Sequence, residues 1–89
     1  MKITAEQLRI YQKYGGDEDG LALVGTRQER SAARDADWPE IRRHIQALAL
    51  ASSGVATEEF RRAAIEAAEN RCADEDAKRL LMEFGRTRG

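Results

Sequence analysis

Apolar residues recur along this chain at spacings of three and four, the signature of amphipathic helices, and no segment shows the alternation a strand requires. Ile3, Leu8, Tyr11 and Tyr14 form the first stripe. Thr4, with Gln7 three residues on, predicts its start as a capping box, and Gly15–Gly16 predicts its end, because glycine accepts the left-handed cap conformation. Trp38, Ile41, Ile45 and Leu48, widened by Ala47, Leu50 and Ala51, predict a helix over 37–53. Asp37 and Glu40 have capping-box spacing, Pro39 sits in the first turn, where its missing N–H costs nothing, and Gly54 supplies the stop. A third helix is expected over 58–72, opened by Thr57 and by Glu58 and Glu59, which suit a positive helix N-terminus. Its Ala63, Ala64, Ala67 and Ala68 would let a neighbouring helix approach closely. The fourth spans about 75–84, capped by Asp74, with Ala77, Leu80, Leu81 and Phe84 as its buried face.

The segment 17–34 carries weaker signals. Asp17 is placed to cap a short helical turn over 18–24 closed by Gly25, and Thr26 with Glu29 makes another capping box for a short helix over 27–34. The expected fold is all-α: a small bundle of four main helices with one or two short helical turns. Residues 1–85 form a single helical domain, and 86–89 a short basic tail. A link of only two or three residues after Gly54 predicts that the 37–53 and 58–72 helices make a tight antiparallel hairpin at the centre, covered by the first and last helices.

Composition sharpens this picture. The chain has 89 residues and is 42% hydrophobic, but fifteen of those hydrophobic residues are alanine. A domain of this size buries only about 60% of its unfolded surface, so the core is thin. Close helix packing, or burial against a partner or a second copy, suits such a core better than a substrate cavity. The Ala face with Leu80, Leu81 and Phe84 makes a homodimer one outcome. The single cysteine, Cys72, forms no intramolecular disulfide and fits a reducing compartment. The N-terminus lacks the apolar run of a signal peptide, and the longest uncharged stretch, 45–57, is far short of the ~20 apolar residues that span a bilayer. The expected location is cytoplasmic, with no membrane contact.

Candidate chemistry is sparse. In Gly15–Gly16–Asp17–Glu18–Asp19–Gly20, a calcium-loop register fails at both ends, with Gly15 at the first ligand position and Thr26 where a bidentate Glu belongs. No metal and no cofactor are expected. His44 and Cys72 are the only residues of their types and read as packing residues. No catalytic residue is assigned, and an enzyme built on that pair is the third-ranked reading. Lys plus Arg is 15 against 16 Asp plus Glu, a net charge of -1. Arg27, Arg30 and Arg34, Arg42 and Arg43, and Arg61 and Arg62 all have acids nearby. They read as a solvated surface with intrahelical pairs, so nucleic acid is disfavoured as a partner. The alternative function is a small DNA-binding transcriptional regulator reading through Arg61 and Arg62, behind a turn at 54–57.

Two acidic clusters, Asp17–Glu18–Asp19 and Asp74–Glu75–Asp76, stand at helix starts, where capping explains one acid but not three. An acidic surface steers a basic partner. Asp17, Glu18, Asp19, Asp35 and Asp37, with Trp38 as an aromatic anchor, are the candidate partner-binding residues. The competing assignment for Trp38 is the core.

Tyr11 to Tyr14 with Gly15–Gly16 and Asp17 to Gly20, then Asp35 to Trp38, Gly54 to Phe60, and Glu69 to Cys72, together resemble a group of small uncharacterised bacterial all-helical proteins, some encoded beside secreted toxins. The resemblance covers residues 10–72. It implies a cytoplasmic binding protein of toxin-immunity type and carries no site residues with it. The leading expectation is a non-enzymatic protein-binding module that occludes a toxin or another basic partner.

Overall fold

Local capping chemistry sets most helix boundaries in the computed structural model, which describes residues 1–88. Thr4 Oγ1 accepts from Gln7 N at 3.1 Å and Gln7 Oε1 accepts from Thr4 N at 3.2 Å, opening α1 (Ala5–Lys13). The same reciprocal pair between Thr26 and Glu29 opens α3 (Arg27–Ala32). Thr57 caps α5 (Glu58–Arg71) at Phe60 N, and Asp74 caps α6 (Glu75–Arg88) at Ala77 N. Between them lie α2 (Glu18–Val24) and α4 (Trp38–Ala51). The protein is thus all-helical, with six helices and no strand among the described residues.

The structure departs from the sequence expectation in four ways. First, Asp37 Oδ1 accepts from Glu40 N at 3.0 Å, but Glu40 does not return the bond; its carboxylate is engaged elsewhere. Second, α4 ends at Ala51, short of Gly54. Ser52 Oγ donates to Leu48 O and Ser53 Oγ to Leu50 O, satisfying carbonyls the helix end leaves over. Among the described residues only Gly15 and Gly16 adopt left-handed φ, at 62° and 78°. The connection to α5 is therefore a six-residue turn over 52–57, in place of a two- or three-residue link. Third, residues 86–88 form the last turn of α6, with Thr87 Oγ1 donating to Glu83 O, so the expected basic tail is helical as far as it is described. Gly89 lies outside the described residues.

The fourth difference concerns the centre. The most extensive helix contact joins α4 to α6, with α5 packed on another side of α4, α1 covering α6, and only slight contact between α5 and α6. The expected central hairpin of α4 and α5 gives way because α5 buries only Ala64 and Ala68. The last helix offers more: Ala77 and Leu81 are fully buried, and at Gly85 a Cβ would collide with Leu48. Glycine there lets α6 lie directly on α4.

The core gathers Leu8, Ile41 and Leu81 with Trp38, whose ring meets Tyr11 edge to face at 5.4 Å. Ile3 N donates to Arg71 O, and Ala73 N to Ile3 O, both at 2.7 Å. This isolated parallel bridge opposite Cys72 ties the N-terminus to the α5–α6 turn.

Candidate functional site

The acidic cluster is positioned by the turn that ends α1. Gly16 N donates to Tyr11 O at 2.9 Å and Asp17 N to Tyr14 O at 3.1 Å, a closure that needs the two left-handed glycines. A side chain at Gly16 would also strike the Tyr11 ring. Arg42 Nη2 donates to Gly16 O at 3.1 Å and pins the turn against α4. Asp17 stands at the N-cap of α2 but makes no side-chain capping bond. Asp17, Glu18 and Asp19 are exposed, and none has an ion-pair partner among the described residues.

The second half of α2 was not foreseen as part of a surface. Leu21 alone is buried, while Leu23 is 82% and Val24 75% exposed. At 100° per residue, Asp19 and Leu23 stand opposite Leu21, with Glu18 and Ala22 on the flank. A helix with its acids at one end and bare aliphatic side chains at the other is thus turned outward. The signal was present in the run Leu21–Ala22–Leu23–Val24, since a short helix buries one side only and four consecutive apolar residues cannot all face inward.

The remaining residues expected in the contact surface separate. Asp35 is exposed in the turn before α4. Asp37 is exposed too, but its carboxylate is used in capping α4. Trp38 is corrected: at 2% exposure it belongs to the core and presents no anchor to a partner. Its position in the first turn of α4, beside Tyr11, gives it more apolar contact than any surface site would.

The arginines also have structural occupations. Arg30 donates to Gly25 O at the end of α2, Arg42 to Gly16 O after α1, and Arg61 Nε to Ala51 O at the end of α4, the last at 3.0 Å. Each brings a cation to carbonyls at or just past a helix C-terminus, where the dipole favours positive charge. Arg61 and Arg62 both pair with Glu58 as well, at 3.2 and 3.7 Å. In the alternative DNA-reading pair, Arg61 is thus tied to the end of α4 and to Glu58 and Arg62 to Glu58, and a six-residue turn replaces the short one that reading assumed.

His44 and Cys72 are not joined by a hydrogen bond. His44 Nε2 lies 3.5 Å from Glu40 Oε1, and Arg71 holds the same carboxylate in a two-point contact, its Nη2 3.2 Å from Oε2. The bond from Arg71 holds the Glu40 carboxyl below the usual range. Arg71 Nη2 also reaches Met1 O, so this cluster clasps α4, α5 and the N-terminus. Cys72 is 3% exposed, and burial pushes its thiol up, away from the thiolate a nucleophile needs. On α3, Glu29 accepts from Lys13 Nζ and Tyr14 Oη, both at 2.6 Å, which with Thr26 N bring its carboxyl down to about 2. That network fastens α3 to α1.

Two concave surfaces lie at the far end of α4. A shallow depression of about 330 Å³ is lined by Leu50, Val55, Ala56 and Phe60 with Ser53 and Thr57. On the other side, α5 and α6 diverge and leave a groove of about 390 Å³. Its floor is Leu48 and Ala51, Ile65 and Met82 stand on either wall, and Ser52, Arg61 and Arg86 supply the polar rim. No group of three or more His, Cys, Asp or Glu among the described residues is arranged to hold a metal ion. No described helix is long and apolar enough to cross a membrane.

Set against known families, curated proteins and solved structures, the chain matches none.

Proposed function

We propose that this chain is a non-enzymatic protein-binding module that docks a basic partner on the outward face of α2. One observation carries the reading: Asp17 at the N-cap of α2 and Glu18 and Asp19 in its first turn, without ion-pair partners among the described residues, stand on the same short element as exposed Leu23 and Val24. Exposed single apolar residues are ordinary, but adjacent ones beside a charge cluster are the composition of an interface, with the acids steering the encounter and the aliphatic groups losing water on contact. The most specific form of the reading is an immunity protein that occludes a toxin. In the cytoplasm of its host such a module acts by coverage, with no chemistry of its own.

The test is retention of a partner from host lysate by the tagged protein. Binding should weaken as ionic strength rises from about 0.01 M to about 0.1 M, over which the screening length falls from about 30 Å to about 10 Å. The double reversal Asp17→Lys/Asp19→Lys should abolish it, while Glu66→Lys, on the exposed side of α5, should leave it intact. Retention unchanged by the double reversal removes the reading.

A further inference from the structure

We infer that α2 of one copy docks in the α5–α6 groove of a second copy, so that the protein self-associates head to tail. The inference rests on reading α2 as a docking face and adds a competitor for it. The two surfaces are complementary in kind. The groove is apolar at its floor and walls and carries two cations at its rim, Arg86 and Arg61, the second already paired with Glu58. The outward face of α2 offers the converse, Glu18 and Asp19 leading into Ala22 and Leu23, with Val24 alongside. The rim is also partly set in place beforehand: Arg61 is fixed by bonds to Ala51 O and Glu58, so holding that cation costs little further ordering.

Space and hydration favour the same occupant. A groove of about 390 Å³ has room for several waters. Aliphatic side chains of the size of Leu23 and Val24 would displace them from an apolar floor, and apolar area would leave solvent on both partners. The carboxylates of α2 would then stand near Arg86 at the rim.

The two surfaces share no residue, since one belongs to α2 and the other to α4, α5 and α6. The contact is therefore heterologous: each copy that uses its α2 leaves a groove open, and association continues until a ring closes or the protein is exhausted. A partner bound on α2 ends the chain. Self-association would thus hold the module in reserve and release it when the partner arrives.

Sedimentation of the purified full chain from about 10 µM to about 1 mM tests this, the range expected of small contacts. The wild type should rise in mean mass beyond a dimer at low salt and fall back as salt increases. Leu23→Glu, which spoils α2, and Met82→Glu, which spoils the groove, should each raise the dissociation constant at least about tenfold. Mixed in equal amounts, they should form a one-to-one heterodimer and nothing larger, because each supplies the half the other lacks. Arg86→Glu is the second groove variant should Met82→Glu fail to fold.

A wild type that stays monomeric throughout overturns the inference. So does association that survives both single variants, which would place the contact elsewhere, as at Leu50, Val55 and Phe60. Neither result touches partner docking, which is read separately by retention on the Asp17→Lys/Asp19→Lys variant.

Discussion

At its first turn α4 is held by several contacts, with Asp37 capping it, Trp38 against Tyr11, Ile41 fully buried and Glu40 clasped by Arg71 and His44. At its last turn Leu50 is 57% exposed, the following Val55 is 89% exposed, and α5 and α6 stand apart. The same amphipathic pattern continues through both ends, so the difference comes from the neighbours. Around the first turn, the N-terminal bridge at Ile3, the α5–α6 turn and α1 converge and close the core. Around the last, α6 lies against Leu48 at Gly85, while Arg61 and Ile65 of α5 and Met82 of α6 stand on either side of an open groove. A helix can thus be anchored at one end and remain available for contact at the other. A different contrast separates α3, which buries no side chain of its own but is stapled to α1 through Glu29, from α2, which buries Leu21 and has no ion pair to another helix among the described residues.

Substitutions should expose this asymmetry. Trp38→Ala should have the largest effect, about 3–5 kcal/mol of stability by chemical denaturation followed by circular dichroism. A change near zero would return Trp38 to the surface. Gly85→Ala, at a close approach of α6 to α4, should cost about 1–3 kcal/mol by overpacking against Leu48, despite alanine's better helix propensity. A stabilised variant would show that α6 does not lie against α4 there.

Acid should act through the stapled elements. Glu29 titrates at about 2 when folded, held down by Lys13 and Tyr14, and Glu40 is lowered by Arg71. A carboxyl whose folded value is depressed stabilises the fold above its unfolded value and loses that contribution as pH falls through the folded one. Stability should therefore be complete above about 4.5 and decline toward about 2. Glu29→Gln should flatten the decline, and an unchanged pH profile for that variant would mean the α1–α3 staple contributes nothing. The smallest effect belongs to the exposed end, where Val55→Ser should shift stability by no more than about 0.5 kcal/mol. A larger loss in the same denaturation experiment would mean that end is packed after all.

Elements whose cause is local were legible in the sequence. Thr4 with Gln7, Thr26 with Glu29, Thr57 and Asp74 cap the helices they were expected to cap. Gly15 and Gly16 take the left-handed turn. Features that depend on residues far apart in the chain were not legible. Glu40 has the spacing of a capping box, yet Arg71, thirty-one positions away, takes its carboxylate. Nothing around Gly85 says that Leu48 will lie against it, and nothing in the arginine pattern says that Arg42 and Arg61 will serve helix ends. The candidate site divided on the same line. The acids of α2 were visible as a cluster, but the exposure of Leu23 and the burial of Trp38 depend on which helix packs where.

The central claim is that α2 is a docking face whose removal leaves the fold untouched. Leu23→Glu tests it most directly when thermal unfolding and partner retention are measured on the same preparation. The account predicts an unfolding midpoint equal to that of the wild type together with lost retention. Retention at the wild-type level would contradict it, and so would a collapse of the unfolding midpoint, which would make Leu23 part of the core.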